Sequence, residues 1–536
     1  MSGRPSHFAP IRGRALVPSM VAVLALQTFG CATNPVTGRS EVRLISESQE
    51  IRMGAANYAP TRQTQGGDFK LDPELNAYVS KVGQRLARES ARPNLPYEFS
   101  IINDSVPNAW ALPGGKIALN RGLLSQLESE AQLAAVLSHE IIHAAARHGA
   151  KSVERAILLQ TAVVAAGTAT TATGHGLYTG LATLGGQVGA SLIQQKYGRG
   201  AELESDRYGM RMMQRAGYDP RAAIELQEIF LRLSKGRQSS WLEGLFASHP
   251  PSQERIDANR ATAEELLAGA ASPGELHVER YAKKTALLRR TADAYASYDR
   301  GVKALTTGDT AAALVSAVEA LDAEPREARF HQLRGDLRLA QKRPRDAIVN
   351  YDRAIELDTE FFHSYLQRGL ARGEIGDEPG ARADLERSIE LLPTAVAHAK
   401  LGEMAAKSGN TTLAMHHFRE ASGSPTPEGQ SALQQLTVLE LPSKPQAYVA
   451  VKANVDSRGY INLRIQNRSI IAVEQVSIAI IRLDPAGRVL KTQHVQLPGE
   501  LAPQSQTARQ LNISVASMDE FHSMRFQVVS ARPSQH

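Results

Sequence analysis

The arrangement of apolar and polar residues changes several times along the chain, and each part predicts different secondary structure. Residues 32–70 are polar with few apolar runs, residues 75–89 have the character of a helix, and residues 97–102 that of a strand. Residues 108–120 place a Pro-Gly-Gly turn between two short β-prone pieces, and this pattern predicts a hairpin. The first part of the chain is therefore expected to be a mixed α+β domain.

A helix is predicted for residues 128–149, and an unusual stretch follows it. Residues 156–195 contain no Asp, Glu, Lys or Arg and are rich in Ala, Gly and Thr. Forty uncharged residues suggest a membrane span, but several glycines interrupt them and their apolar density is modest. We expect packed helices here, or a surface that lies against membrane or substrate.

A repeat of about 34 residues dominates the next part of the chain. Four glycines are spaced 34, 34 and 33 residues apart, and an alanine stands twelve residues after each of them: Gly301, Gly335, Gly369 and Gly402, then Ala313, Ala347, Ala381 and Ala414. Small residues at this period, where paired helices approach closely, are typical of tetratricopeptide repeats. We expect an α-solenoid at residues 294–427 with a concave docking surface. Plain helical hairpins that bind no ligand are the alternative.

After Pro442 the pattern changes to short alternating segments. Apolar and polar residues alternate in runs that are separated by Gly- and Pro-containing turns. This pattern predicts a small antiparallel β-domain, sandwich-like, at residues 443–536. Its role does not follow from the sequence.

The predicted fold class is multidomain and mainly α, since 536 residues are enough for three or four domains. An α+β domain precedes the solenoid, and the small β-domain follows it. The predicted boundaries are a signal peptide at 1–30, an α+β domain at 31–270, a helical linker at 271–293, repeats at 294–427, a linker at 428–442 and a β-rich domain at 443–536.

Composition excludes some classes of protein. With 42% hydrophobic and 22% charged residues, the chain is not disordered throughout. The formal charge is +6, and Arg4, Arg12 and Arg14 supply three of these charges within the first 30 residues. The remaining surplus is too small and dispersed to indicate a nucleic-acid partner. The single cysteine, Cys31, excludes an intramolecular disulfide.

The N-terminus has the layout of a secretory signal. Basic residues lead into an uncharged apolar stretch at residues 15–30, and Cys31 follows directly. A cysteine in this place resembles a bacterial lipobox, so we expect acylation of Cys31 and a membrane anchor. An ordinary signal peptide with an incidental cysteine is the alternative. Because Ala32 is not acidic, analogy with known lipoproteins favours the outer membrane, facing the periplasm.

The predicted helix at 128–149 contains the sequence HEIIH. His139 and His143 are four residues apart, so both imidazoles lie on one helix face and can reach a single metal ion. Glu140 stands beside the first of them, where a general base for the attacking water is needed. Two surface histidines on an amphipathic helix are the alternative reading of the motif.

A zinc hydrolase site needs a third protein ligand, and a second predicted helix offers one. Glu202 would complete a site of two histidines and one glutamate. Asp206, four residues later on the same face, is placed to accept a proton from the outer nitrogen of a ligand histidine. Glu204 points elsewhere and is expected to be an ordinary surface acid.

Five segments together resemble the family of HtpX-like and CAAX-prenyl-protease-like zinc metalloendopeptidases, and within it a periplasmic branch with tetratricopeptide repeats. They are CATNPVTGR, NAWALPGGKI, SHEIIHAAARH, RGAELESDRYG and SHPPSQERI. The resemblance covers roughly residues 31–430. Its HExxH motif falls on His139, Glu140 and His143, and its ExxxD motif on Glu202 and Asp206. Ser205 stands where this family usually has Ala, and both carboxylates remain in place.

The resemblance implies that the α+β domain at 31–270 is a metalloprotease domain. It also implies one Zn²⁺ per chain and endoproteolysis, with quality control of outer-membrane proteins as the setting. Unfolded or misassembled proteins would be the substrates, and the repeats would recruit them or an outer-membrane assembly machinery. The competing hypothesis is a chaperone or assembly adaptor whose metal site is idle or gated.

Further residues are assigned by their position near these motifs. His249 resembles the family's loop histidine and is expected to assist the oxyanion or to sit on the metal when substrate is absent. A structural loop histidine is the alternative. Residues 115–120 are expected to form an edge strand that pairs with an extended peptide. His148 is expected to be structural, and Arg199 and Arg207 are expected to anchor the site carboxylates.

Overall fold

The computed structural model describes residues 30–165, 197–236 and 249–534. The chain divides into two compact units at Phe361 and Phe362, and each is described by itself. Within the described ranges no helix is long and apolar enough to cross a membrane. The predicted signal sequence lies outside the described residues, except for Gly30, and so does most of the uncharged stretch.

The first unit is α+β and includes the first two predicted repeats. Its strands are β1 Gly30–Thr33, β2 Ser40–Arg43, β3 Glu98–Ile102, β4 Ala109–Leu112 and β5 Lys116–Asn120. Its helices are α1 Glu47–Thr64, α2 Pro73–Ala87, α3 Arg121–Leu124, α4 Glu130–Ala145, α5 His148–Ala165, α6 Arg199–Arg215, α7 Ala222–Gly236, α8 Gln253–Leu267, α9 Val278–Lys284, α10 Ala286–Arg290, α11 Ala292–Thr306, α12 Thr310–Ala323, α13 Ala328–Ala340 and α14 Pro344–Leu357.

The second unit holds two more repeats and the β-domain. Its helices are α15 Phe362–Glu374, α16 Glu378–Leu391, α17 Ala395–Lys407, α18 Thr411–Ser422, α19 Pro427–Glu440, α20 Pro445–Tyr448 and α21 Met518–His522. Its strands are β6 Val449–Val455, β7 Tyr460–Asn467, β8 Val473–Leu483, β9 Val489–Gln496, β10 Gln506–Ser514 and β11 Met524–Pro533.

A three-stranded sheet lies beside the HExxH helix α4. The predicted hairpin is confirmed, because β4 and β5 pair antiparallel around the Pro-Gly-Gly turn. The predicted edge position of residues 115–120 is wrong, since β3 pairs with β5 in parallel and makes it the central strand. The strand order is β3-β5-β4, so the edge strand that packs on α4 is β4.

Helix α4 is buried along its whole length and is shorter than predicted. Ser129 caps its start by accepting a hydrogen bond from the Gln132 amide. It ends at Ala145 rather than at residue 149, because Arg147 takes a left-handed conformation with φ of 63°. A new helix, α5, then begins at His148.

The fully buried Arg147 holds the N-terminal segment against the end of α4. Its guanidinium contacts Glu41 at 3.3 Å, Glu50 at 3.1 Å and Glu154 at 3.1 Å. The amide of Asn34 adds a hydrogen bond to the Ala146 carbonyl at 3.3 Å. The β1–β2 hairpin and α1 are therefore fixed to the helix that carries the HExxH motif.

The tetratricopeptide repeats pack as their small residues predict. A Cβ at Gly335 would lie 2.6 Å from the ring of Tyr351, and one at Gly402 would lie 2.7 Å from Phe418. Each of these aromatic rings lies on the second helix of its repeat and occupies the space that the glycine leaves. This close approach of paired helices confirms the repeats.

The first two repeats pack directly onto the metalloprotease domain. The ring of Tyr295 on α11 lies 5.1 Å from Phe330 of α13 and 6.3 Å from Phe69, which precedes α2. Glu327 is buried at this contact and accepts hydrogen bonds from the Asn103 amide, at 3.0 Å, and from the Tyr295 hydroxyl. The apolar core of the first unit is continuous across the contact.

The C-terminal domain is a β-sandwich, as predicted. Strands β10-β7-β6 form one antiparallel sheet and β11-β8-β9 form the other. Both contribute to one apolar core that includes Ile461, Leu463, Ile478 and Val528. The segment 428–442, predicted as a linker, lies largely within α19, which packs on α18.

Enlarging a buried alanine of the repeats should destabilise the protein. Ala347 and Ala381 are completely buried or nearly so, and Leu at either position would overpack the crossing at a cost of about 1–3 kcal/mol. Ala383→Leu, at an exposed position of the same helix as Ala381, is the matched control and should cost little. Unfolding of the full chain by denaturant, followed by circular dichroism, measures the difference. Unchanged unfolding in both buried variants would contradict the packing.

Candidate metal centre

Four buried side chains from three parts of the chain converge on one point. His139 and His143 come from α4, Glu202 from the first turn of α6, and His249 from the loop before α8. One donor atom from each lies within 4.8 Å of the others. The Nε2 atoms of the two α4 histidines are 3.0 Å apart, and Glu202 Oε1 lies 3.3 Å from His143 Nε2.

This donor set fits zinc. Zinc is usually held by imidazole nitrogens and carboxylate oxygens at about 2.0–2.2 Å, so neighbouring ligand atoms stand roughly 3.3 Å apart. Two aligned imidazole nitrogens 3.0 Å apart meet that spacing, and a cation between them gives both lone pairs a partner. His249 Nδ1, 3.1 Å from Glu202 and 3.3 Å from His139 Nε2, adds a further donor.

Asp206 and Arg255 support the first histidine from behind. Asp206 Oδ1 accepts from His139 Nδ1 at 2.8 Å, so the other ring nitrogen, Nε2, faces the cluster. Arg255 of α8 donates two hydrogen bonds of 2.7 Å to the Asp206 carboxylate and lies 2.9 Å from Glu202. The guanidinium therefore fixes the carboxylates of both Asp206 and Glu202.

The predicted anchoring role of Arg199 and Arg207 is wrong. Arg199 pairs with Glu254 and Arg207 with Glu265, and both arginines are exposed. Both partner glutamates lie on α8, so neither ion pair involves Glu202 or Asp206. The motif SHPPSQERI, which contains Arg255, was the available signal for the residue that takes this role.

His143 is also supported from outside the cluster. The Nδ1 atoms of His148 and His143 are 3.0 Å apart, and His148 Nε2 lies 3.3 Å from Glu204. Glu204 is thus a half-buried partner of His148 rather than the surface acid that was expected. The ring of Tyr197, which the sequence did not single out, lies 4.0 Å from that of His143.

Glu140 is buried, and one of its oxygens has no partner. Its Oε2 makes no hydrogen bond within the described part of the chain, while Oε1 lies 3.6 Å from His249 Nε2. Burial raises the pKa of this carboxyl, and its neighbours His249 and His139 oppose that shift. A carboxylate with a free oxygen and a raised pKa beside a metal site is suited to taking a proton.

The charges at the cluster favour a divalent cation. When the histidines are in the neutral form that binds a metal, Glu140, Glu202 and Asp206 carry three negative charges and Arg255 compensates one, so two remain for a cation to balance. Burial alone would raise the pKa of Glu202, but the charges of His249 and His139 hold it well below its usual range. Burial would lower the pKa of His139, but Glu202 and Asp206 raise it to about 10. The site attracts positive charge strongly.

The chain is similar in sequence to known metallopeptidases. Residues 73–263 match the profile of Peptidase family M48. The chain is 29% identical over 411 residues to the beta-barrel assembly-enhancing protease of Escherichia coli, covering 69% of this chain and 80% of that protein. It is 32% identical over 231 residues to the mitochondrial metalloendopeptidase OMA1 of Schizosaccharomyces pombe, covering 41% and 63%.

One solved structure similar to part of the chain is that of the MamA protein. It is 25% identical, with a TM-score of 0.25, and the match covers 27% of this chain and 80% of that one. The assignment of the repeats rests on the packing of Gly335 and Gly402 described above.

Removing Arg255 should leave two buried carboxylates without their guanidinium partner. In metal-free protein, Arg255→Ala is expected to cost about 3–5 kcal/mol, as is usual when one member of a buried ion pair is deleted. Bound metal should reduce this loss, because it compensates Glu202. Denaturant unfolding with and without chelator measures both values.

Arg207→Ala is the matched control for that substitution. It removes an arginine from an ion pair in which both side chains are about half exposed, and it should cost no more than about 1 kcal/mol. Equal losses in the two variants would show that Arg255 does not hold the carboxylates.

Proposed function

We propose that this zinc metalloendopeptidase, whose residues 73–263 form a peptidase family M48 domain, degrades misfolded or stalled outer-membrane proteins in the periplasm. The observation that carries the proposal is the convergence of His139, His143 and Glu202 beside the unpartnered oxygen of Glu140. The setting is supported by the Escherichia coli relative, which is named for enhancing β-barrel assembly.

Three residues would hold the zinc: His139, His143 and Glu202. When bound, the ion polarises a carbonyl as a Lewis acid and lowers the pKa of a coordinated water. Glu140 takes the proton of the attacking water and passes it to the leaving nitrogen. Asp206 keeps the proton of His139 on Nδ1, so that Nε2 stays available as a ligand.

His249 would act directly beside the metal ligands and Glu140. Its Nδ1 is within 3.3 Å of both Glu202 and His139, and its Nε2 faces Glu140. This placement favours the second of its two expected roles, that of an additional donor to the metal when substrate is absent. Substrate would displace it, after which the imidazole can donate to the developing oxyanion.

Strand β4 is proposed as the binding edge for substrate, in place of residues 115–120. It is the edge strand of its sheet and packs on α4, and its four residues are at most 7% exposed, so a peptide would add to it only in an opened form of the domain. An extended peptide that adds to such an edge bonds through its main chain, which places few demands on its sequence. This mode suits an enzyme that removes many different unfolded chains.

A second candidate function is a chaperone or assembly adaptor with a gated metal site. The observation that favours it is burial: His139, Glu140, His143 and Glu202 are each at most 9% exposed, and His249 lies against them. Cleavage of an unfolded casein substrate, with and without a chelator, distinguishes the two. Chelator-sensitive cleavage supports the protease, and binding without cleavage supports the adaptor.

The repeats and the N-terminus would supply location and partners. The four repeats would recruit substrate proteins or an assembly machinery of the outer membrane. Acylation of Cys31 would anchor the chain in that membrane on its periplasmic side.

Substitutions at two glutamates separate the base from the ligand. Glu140→Gln keeps the size of the side chain but cannot take a proton, so hydrolysis should fall by about 10²–10⁴ or more while zinc stays bound. Glu202→Ala removes a ligand, so zinc content and activity should fall together. Asp206→Asn should weaken zinc affinity by about 10–100-fold.

Elemental analysis beside casein cleavage provides both measurements. If the Glu140 variant loses zinc and the Glu202 variant keeps it, then Glu140 is the ligand and Glu202 is not. This outcome would contradict the assigned roles even if the wild-type protein is an active protease.

Replacing the cysteine tests the anchor. Cys31→Ser should move the protein from the membrane to the soluble periplasmic fraction and abolish incorporation of labelled fatty acid. A wild-type chain that takes up no label, with the same membrane fraction as the variant, would rule out acylation.

A further inference from the structure

A cavity lies between α2 and α9, at the start of the HExxH helix α4 and apart from the metal centre. Its volume is about 440 Å³, which is within the range of small-molecule sites. The side chains that line it are predominantly charged or phenolic: Glu74, Tyr78, Lys81, Arg85, Arg88, Glu130, Tyr218, Arg280 and Lys284, with Ala77 and Val82.

The two acids of this cavity already have partners. Glu130 is buried and accepts hydrogen bonds of 2.7 Å from the hydroxyls of Tyr78 and Tyr218, and Arg280 lies 2.8 Å from it. Glu74 lies 3.3 Å from Lys284. Five basic residues therefore face two acids, and three positive charges remain uncompensated.

The uncompensated charges form one stripe along α2 and its C-terminal cap residue, Arg88. Lys81, Arg85 and Arg88 follow at intervals of four and three residues, so they lie on one helix face. Among the residues that the structure describes, Lys81 and Arg88 have no carboxylate partner, and the Arg85 guanidinium lies over the Tyr218 ring at 4.7 Å. Like charges at this spacing repel each other, and an anion in the cavity would relieve the repulsion.

We propose that this cavity binds a phosphate group, either as free phosphate or as the headgroup of an anionic phospholipid. Three cations in one cavity match the multiple charge of free phosphate, and any one of them can pair with the single charge of a phospholipid's phosphodiester. Arginine forks and a lysine ammonium are the side chains that bind phosphate oxygens. The phenol rings of Tyr78 and Tyr218 form an apolar wall beside them.

The site is connected to both helices that carry the metal donors. Glu130 is the first residue of α4, and Tyr218 follows the end of α6. A phosphate bound here would neutralise the charges of Lys81, Arg85 and Arg88, close to the start of α4 and the end of α6. It should therefore stabilise the metalloprotease domain by mass action, independently of any proteolytic activity.

The test uses the full-length chain with Cys31→Ser, so that no acyl anchor contributes to binding. Sodium phosphate should raise its melting temperature above that in sodium chloride of equal ionic strength, and titration calorimetry should show saturable binding. Lys81→Glu and Arg88→Glu, both at exposed positions, should each weaken this binding at least tenfold. Arg345→Glu, an exposed arginine of α14 that changes the charge equally, should stay within twofold of wild type.

Vesicle flotation identifies the source of the phosphate. Flotation with phosphatidylglycerol but not phosphatidylcholine vesicles, lost in Arg88→Glu, would indicate a lipid headgroup. Phosphate binding that is lost in this variant while flotation is unchanged would indicate free phosphate. The proposal is overturned if phosphate shows no saturable binding, if both α2 variants bind as wild type does, or if Arg345→Glu weakens binding as much as they do.

Discussion

The buried guanidinium of Arg255 is the constraint on which the site depends. Burying Asp206 and Glu202 costs a large desolvation energy unless each charge is paired, and Arg255 contacts both of them. The same contacts hold α8 against α6, and Asp206 in turn fixes His139 on α4. Three helices distant in sequence therefore meet at one ion pair, and the metal donors are placed by elements that cannot shift separately.

Both ends of α4 are held by buried charges. Arg147 lies just after its C-terminal end. Arg147 joins the β1–β2 hairpin, α1 and α5 through Glu41, Glu50 and Glu154. At the start of the helix, Glu130 is held by two phenols and Arg280. An apolar core would allow a helix to slide or rotate by small steps, whereas charged hydrogen bonds at both ends define one position. The positions of the HExxH histidines, which lie between these two ends, are fixed as a result.

The sequence predicted the site residues that are related by local helix spacing. It missed the contacts that depend on how distant segments of the chain pack together. The pairs His139–His143 and Glu202–Asp206 could be recognised because a helix places residues four apart on one face. Arg255 could not be chosen over Arg199 and Arg207, since the choice depends on how the loop at His249 folds back. The central position of β5 depends on parallel pairing with the earlier strand β3, which no local pattern encodes.

The packing of Tyr295, Phe330 and Glu327 against the metalloprotease domain has a consequence for the repeats as a folding unit. A solenoid exposes apolar surface at each end unless a polar cap covers it. Here the catalytic domain itself covers the first end, and α19 packs on the last repeat helix. A fragment cut at residue 294 would expose that covered face, and it would be expected to aggregate rather than behave as a free adaptor. The metalloprotease domain is thus the N-terminal cap of the repeats that follow it.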